Sequence, residues 1–232
     1  MVTQNETVTI EDLLLKIQEY NKLTKYYKKL TVDIDKIKRA YTMAECYHRD
    51  QPPRASGEHY ITHPVAVANL VADAYFTTNA ICGALLHDTI EDTGCTEADI
   101  ALEFGPRIKQ IVYMLTRNRG KLKISVGQIV DEALQADDHE VLNIKLFDRV
   151  HNLQTIHYLP QDRQERIAKE TLKHIYGIAI ALGYNALSND IYNLNTSIIS
   201  KPTNACFSKQ AFSEDVQITS GLFQLPEVIK SI

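Results

Sequence analysis

The hexapeptide "HDTIED" at 87–92 sets a histidine and three acids directly behind the apolar run "AICGALL". On one continuous helix, residues four apart share a face, so His87 stands near Glu91 and Asp88 near Asp92. Asp88 also falls on the stripe of Ile81, Ala84 and Leu85, which belongs to a core. A carboxylate on such a stripe must be paired, protonated or bound to a metal. Two more residues could join it. Asp148, in "IKLFDRVHN", shares an inward face with Val141, Ile144 and Lys145, and His63 stands at a helix start ahead of Pro64. His63, His87, Asp88 and Asp148 are thus four potential ligands from three elements. Mixed imidazole and carboxylate donors suit manganese, iron or zinc, and leave positions open for water and a phosphate oxygen. Singly, each residue has a plainer reading as a helix cap, an ion-pair partner or a core histidine. The ordered set is far more specific than any of its members. Glu91 and Asp92 follow by one helical turn, within reach of a water beside such a metal. The plainer alternative is that they merely end their helix, where acids meet the unfavourable pole of the dipole at a cost of about 0.3–1 kcal/mol each.

The elements that must position these groups read as helices. Glycine and proline are sparse, and apolar residues recur at three and four. One helix starts near Thr9 with Leu13, Leu14, Ile17 and Tyr20 on a face, and a second near Asp33. "RDQPPRASGEHYIT" breaks helicity with two prolines and a glycine. "HPVAVANLVADAY" follows as a buried helix, and the next spans about Thr78 to Glu91, with Gly94 as its C-terminal glycine. "TEAD" at 96–99 and "SVGQ" at 125–128 open further helices, the first with a capping-box pattern. Pro106 sits early in another. The basic run Arg117, Arg119, Lys121, Lys123 could steer phosphates, but a solvated charged loop is its plainer meaning. From "DDHE" a helix carries Asp148 until Pro160 stops it, and a last long helix, "RQERIAKETLKHIYGIAIAL", closes at Gly183. Beyond Ser200 the chain reads as a peripheral polar tail. No internal repeat and no stretch long enough for a sheet is visible, so the sequence predicts an all-α single domain over 1–200 with a tail at 201–232.

A chain of 232 residues with 44% hydrophobic and 23% charged content is an ordinary globular composition. The acidic, amphipathic N-terminus is unlike a signal peptide, and no apolar run reaches the roughly 18 residues of a membrane span. A cytoplasmic protein without membrane association is expected. The formal charge of −4 argues against a nucleic-acid partner but not against a small polyphosphate at a locally positive site. Cys46, Cys82, Cys95 and Cys206 are too scattered for a disulfide framework or a thiolate zinc site.

The ordered motif H…HD…D, here His63, His87–Asp88 and Asp148, resembles that of the HD superfamily of metal-dependent phosphohydrolases. The nearer likeness is to the hydrolase domain of the RelA/SpoT alarmone enzymes and their small stand-alone relatives. It rests on "RASGEHYITHPVAVA", "GALLHDTIEDT", "FGPRIKQIV", "LNIKLFDRVHNLQTI" and "ERIAKETLKHIYGIAIALG", which together span about 40–183. The resemblance implies an HD-domain helical bundle. Its implied reaction is hydrolysis of the 3′-pyrophosphate of guanosine tetra- or pentaphosphate to GDP or GTP plus pyrophosphate, usually with Mn2+ although another divalent metal could serve. It implies His63, His87, Asp88 and Asp148 as ligands and Glu91 and Asp92 as the acids that assist water attack. Arg54 would stack on or contact the guanine, with Ser56, Asn152 and Thr155 contacting the nucleotide. Ala55 stands where many relatives carry lysine, and Gln154 where many carry arginine, which implies a weaker grip on phosphate. "IALG" replaces the usual "HRLG". Nothing in the chain matches a synthetase domain.

Two other readings compete. An HD-type hydrolase of another nucleotide, such as a deoxynucleotide phosphatase or 5′-nucleotidase, needs the same four ligands but neither "RASGE" nor the acids after HD. A non-catalytic nucleotide-binding module would be expected to have lost a ligand.

Overall fold

The computed structural model describes residues 7–26 and 31–200. The elements that carry the site begin with helix α1 (Ile10–Tyr26) and α2 (Ile34–His48). α3 (Thr62–Ala74), α4 (Thr78–Leu86) and α5 (Thr89–Asp92) follow. Next come α6 (Glu97–Phe104), α7 (Pro106–Leu115), a two-stranded hairpin β1 (Asn118–Arg119) and β2 (Leu122–Lys123), α8 (Val126–Gln135) and α9 (His139–Gln154). The chain ends its described course with α10 (Gln161–Glu170), α11 (Tyr176–Ala181) and α12 (Asn185–Ser200). The fold is all-α, as expected from the sequence, and among the described residues only that four-residue ladder is β-structure. By contacts it resolves into two compact units, up to Phe147 and from Asp148 on. The expected tail at 201–232, including Cys206, lies outside the described residues.

The start signals act as read. Thr9 and Asp12 cap each other's backbone at α1, and Asp33 accepts from Lys36 N–H at α2. "TEAD" and "SVGQ" both form reciprocal capping boxes, each satisfying two otherwise orphaned backbone donors. Pro106 occupies the first turn of α7.

In the first unit α4 is the central rod, packed against α2, α3 and α7. Its Ala80, Ile81, Ala84 and Leu85 are fully buried. Gly83 lets α7 and α9 approach it: a Cβ there would lie 2.7 Å from Ile111 Cγ2 and 3.0 Å from Ile144 Cδ1. In an open helix Gly→Ala gains about 1 kcal/mol of propensity. Here overpacking, typically about 1–3 kcal/mol, outweighs it, because Ile111 is β-branched and its Cγ2 has little room to turn. Gly83→Ala is therefore expected to lower the melting temperature in thermal denaturation, and a rise would contradict this packing.

An ionic clamp fixes three helix starts in the same unit. Arg107 at the head of α7 binds Asp138 through both terminal nitrogens at 2.8 and 2.7 Å, and Glu140 at 2.7 Å. Thr77, the N-cap of α4, donates to the other oxygen of Glu140 at 2.7 Å. Burial works against the Asp138 carboxylate, but Arg107 outweighs it and holds its pKa below the usual range. Cys82 and Cys95 are buried and Cys46 exposed; burial pushes the Cys82 thiol up to about 12, an inert packing group. No helix among the described residues is long and apolar enough to cross a membrane.

Four expectations require correction. The helix predicted to run to Pro160 ends at Gln154, and a short 3-10 turn at Ile156–Tyr158 follows. The helix predicted over 78–91 breaks at His87–Asp88. His87 Nδ1 donates to Ala84 O at 2.8 Å and Thr89 Oγ1 to Leu86 O at 2.7 Å, so side chains take carbonyls that the backbone ladder would have used. Gly94 is not a left-handed cap. The chain leaves α5 extended at Thr93, whose hydroxyl donates to Thr89 O and accepts from Cys95 N–H. The long helix predicted to Gly183 contains a π turn at Thr171–Ile175; its C-terminal glycine is as expected, with Gly183 at φ +79°. Helix α12, not anticipated, completes the second unit. Its Leu194 and Ile198 pack with Leu153, Ile156 and Ala168.

Candidate functional site

His63 sits in the first turn of α3, 1% exposed, and His87 caps the C-terminal end of α4, 4% exposed. The turn after α4 swings Asp88 between them. His63 Nε2 lies 3.6 Å from Asp88 Oδ2, and His87 Nε2 3.2 Å from Asp88 Oδ1. The structure thus brings together three of the four predicted ligands, with donor atoms within 4.8 Å of one another.

The protonation of His87 tests whether a cation fits. A carbonyl oxygen only accepts, so the 2.8 Å contact with Ala84 O requires the proton of a neutral ring to sit on Nδ1. Nε2 then presents a lone pair to a carboxylate oxygen at 3.2 Å. Two lone-pair donors at that distance need a second proton on the ring or a cation between them. Fixing the tautomer through the outer nitrogen is also how metal-binding histidines are oriented. The donor set fits a divalent metal.

Tyr60, which the sequence did not single out, ties this trio to the acids that follow. Its hydroxyl lies 3.0 Å from Asp88 Oδ2 and 2.5 Å from Asp92 Oδ2. Burial first, then the charges of Asp88 and Asp92, push the phenol far above its ordinary pKa, so it stays a hydrogen donor. The ring stacks on His48 at 4.7 Å between centroids, with planes 19° apart. His48 Nδ1 in turn meets Gln51 Oε1 at 2.7 Å, and Gln51 donates to Asp92 O at 2.8 Å. Burial lowers the pKa of His48; its Nε2 is buried without a hydrogen-bond partner among the described residues.

The "RASGE" loop reaches the same place. A turn closed by Gly57 N–H to Arg54 O, and Arg54 N–H to Glu58 O, folds it back, with Gly57 at φ +89°, a conformation that favours glycine. The Arg54 guanidinium carbon lies 6.0 Å from the centroid of the Tyr60 ring. Ser56 Oγ donates to Glu58 at 3.2 Å, and Ala55 is exposed.

Glu91 is half-buried, and its Oε2 accepts the backbone N–H of Arg117 at 2.9 Å. That bond pins α5 to the hairpin of β1 and β2 and leaves the second oxygen outside any hydrogen bond among the described residues. Of the basic run, the two arginines are structural, whereas Lys121 and Lys123 are exposed. Arg119 is enclosed by Glu132, Met114 O and Thr116 O, over the Tyr113 ring, and Arg117 Nε donates to Ile124 O.

Asp148, Asn152 and Thr155 belong to the second unit. Asp148 is 8% exposed on α9, and Asn152 one turn later donates to its Oδ1 at 2.7 Å. Thr155 donates to Asn152 O at 3.4 Å, while Gln154 is exposed. Next to them Arg149 binds Glu170 at 2.6 Å and Thr171 Oγ1 at 3.1 Å, at the mouth of the π turn.

A family model described as HD domain matches residues 40–184, a span that runs through both units. Among curated proteins, the guanosine-3′,5′-bis(diphosphate) 3′-pyrophosphohydrolase of Haemophilus influenzae is 40% identical over 149 residues, 61% of this chain and 22% of that protein. The bifunctional (p)ppGpp synthase/hydrolase RelA of Mycobacterium tuberculosis is 38% identical over 171 residues, 72% of this chain and 23% of that protein. The probable GTP pyrophosphokinase of Mycobacterium leprae is 36% identical over 178 residues, covering 75% and 22%. The chain thus spans less than a quarter of the length of these relatives. Among solved structures, a metazoan ortholog of SpoT, described as hydrolysing ppGpp, superposes with a TM-score of 0.58 at 20% identity. The match covers 70% of this chain and 93% of that one, a likeness of fold.

Proposed function

We propose, from the premise that this chain belongs to the HD domain family, that it is a cytoplasmic phosphohydrolase acting on guanosine tetra- and pentaphosphate. The 3′-pyrophosphate leaves as water adds: a P–O bond to water forms, the bond to the 3′ oxygen breaks, and GDP or GTP and pyrophosphate result. The observation that carries this reading is the cluster of His63, His87 and Asp88, joined through Tyr60 to Asp92 and to the Arg54 loop.

His63, His87 and Asp88 hold the divalent cation, manganese on this reading, and by the order of the sequence motif Asp148 is the fourth ligand. When bound, such a cation lowers the pKa of water and offsets phosphate charge. The remaining work falls to side chains. Glu91, oriented by the Arg117 N–H on one oxygen, takes the proton from the attacking water on the other. Asp92 orients that water or a neighbouring group. Arg54 offers a planar cation that stacks on the guanine, and Ser56, Asn152 and Thr155 contact the nucleotide. Exposed Ala55 and Gln154 supply no positive charge, so phosphate binding is expected to be weaker than in relatives with lysine and arginine there.

Arg54 and substrate choice give the test. Arg54→Ala should raise the KM for guanosine tetraphosphate several-fold and leave manganese affinity unchanged, in steady-state kinetics and metal titration. An unchanged KM removes Arg54 from the nucleotide site. Equal hydrolysis of ordinary deoxynucleoside triphosphates would favour the other HD-type reading, a general nucleotide phosphohydrolase.

A further inference from the structure

The hydroxyl of Tyr60 carries one hydrogen but meets two carboxylates, Asp88 Oδ2 at 3.0 Å and Asp92 Oδ2 at 2.5 Å. One proton cannot be donated fully to both, so the two acids compete for it. Asp88 is within reach of both histidines, whereas Asp92 is the more exposed of the two acids. The phenol is not free to choose another position. Its ring is stacked on the buried imidazole of His48, and it stands edge-on to His63 with centroids 6.5 Å apart. The same His48, through Gln51, holds the backbone carbonyl of Asp92. The Tyr60 ring and the backbone of Asp92 are therefore set by one scaffold at the end of α2.

We propose that Tyr60 is a positioning residue that couples metal loading at Asp88 to the placement of Asp92. The inference rests on reading His63, His87 and Asp88 as metal ligands. A cation drawing on the lone pairs of Asp88 makes Oδ2 a poorer acceptor, so the hydroxyl, still protonated, gives its hydrogen bond wholly to Asp92 and fixes that carboxylate. Without a cation, the shared proton keeps two like charges side by side in a ligand-ready arrangement. Tyr60 thus acts through Asp88 on affinity and through Asp92 on turnover, while touching neither nucleotide nor metal.

Tyr60→Phe removes the oxygen alone and keeps the stack on His48. Losing an outer partner of a metal ligand typically costs about 10- to 100-fold in affinity or activity. Calorimetric titration of the full chain with manganese, without nucleotide, should show affinity about tenfold weaker in Tyr60→Phe, with the far-ultraviolet circular dichroism and melting temperature of the metal-free protein preserved. With guanosine tetraphosphate at saturating manganese, kcat should fall by about 10-fold or more while KM holds within about twofold. In the double variant with Asp92→Asn, the Tyr60 change should slow turnover no further, because coupled residues are not additive. Equal manganese affinity in wild type and Tyr60→Phe overturns the proposal, as does a double variant clearly slower than Asp92→Asn alone. The metal titration needs no substrate, so it decides the point even if guanosine tetraphosphate is not hydrolysed.

Discussion

Glu91→Gln is expected to keep fold, metal and nucleotide affinity and to lose turnover by about 10² to 10⁴, the usual cost of removing a general base. The geometry makes this substitution unusually clean. One oxygen of Glu91 accepts the Arg117 N–H at 2.9 Å, and the amide carbonyl of glutamine can do the same. The hairpin that follows Arg117 therefore stays anchored, and what disappears is the capacity to take a proton. Glu91→Ala would be less informative, since it also abandons the Arg117 N–H. Single-turnover kinetics at saturating manganese separate the two effects. A glutamine variant that turns over at nearly the wild-type rate would reduce Glu91 to an anchor for the hairpin and move the base role elsewhere, with Asp92 the nearest candidate.

Removing the metal should have an effect of at least that size. The 3.2 Å approach of His87 Nε2 to Asp88 Oδ1, with the ring proton committed to Ala84 O, is unfavourable until a cation or second proton lies between them. Chelation with EDTA is expected to abolish turnover and manganese to restore it. Asp88→Asn should lose bound metal and activity together while staying folded, because the amide still offers Tyr60 an acceptor of the same size. Asp148→Ala tests the fourth ligand in the same way, by bound metal and turnover, with helicity followed by circular dichroism. Full activity of a metal-stripped sample would remove the metal assignment.

Much of this was readable in the residues. Capping boxes and Pro106 gave reliable helix starts because those signals are local: a side chain and the backbone three residues on. The trio His63, His87 and Asp88 was legible because its chemistry is carried by residue type and order. What escaped the sequence depends on distant contacts or on competition for the same carbonyl. Tyr60 reads as one aromatic in a loop until folding brings Asp88, 28 residues away, to its hydroxyl. Glu91 reads as an acid beside the metal ligands or at a helix end, but its anchor is invisible until the Arg117 N–H arrives from 26 residues on. The break at His87–Asp88 has a local cause, two side chains bonding back to the last turn, but helical periodicity cannot register it. Helix α12 was missed although Leu187, Ile191, Leu194 and Ile198 carry helical spacing, because asparagines and serines, poor helix formers, surround them. Within the basic run the solvated-loop reading fits exposed Lys121 and Lys123, but Arg119 serves carbonyls and Glu132.

The central claim, that this site removes the 3′-pyrophosphate from guanosine tetraphosphate, is met most directly by separating the products of one incubation. Purified protein with manganese and guanosine tetraphosphate, resolved by anion exchange, should yield GDP and pyrophosphate in equal amounts, and neither after EDTA. Release of orthophosphate, loss of the 5′ phosphates, or intact tetraphosphate alongside hydrolysed deoxynucleotides would contradict it.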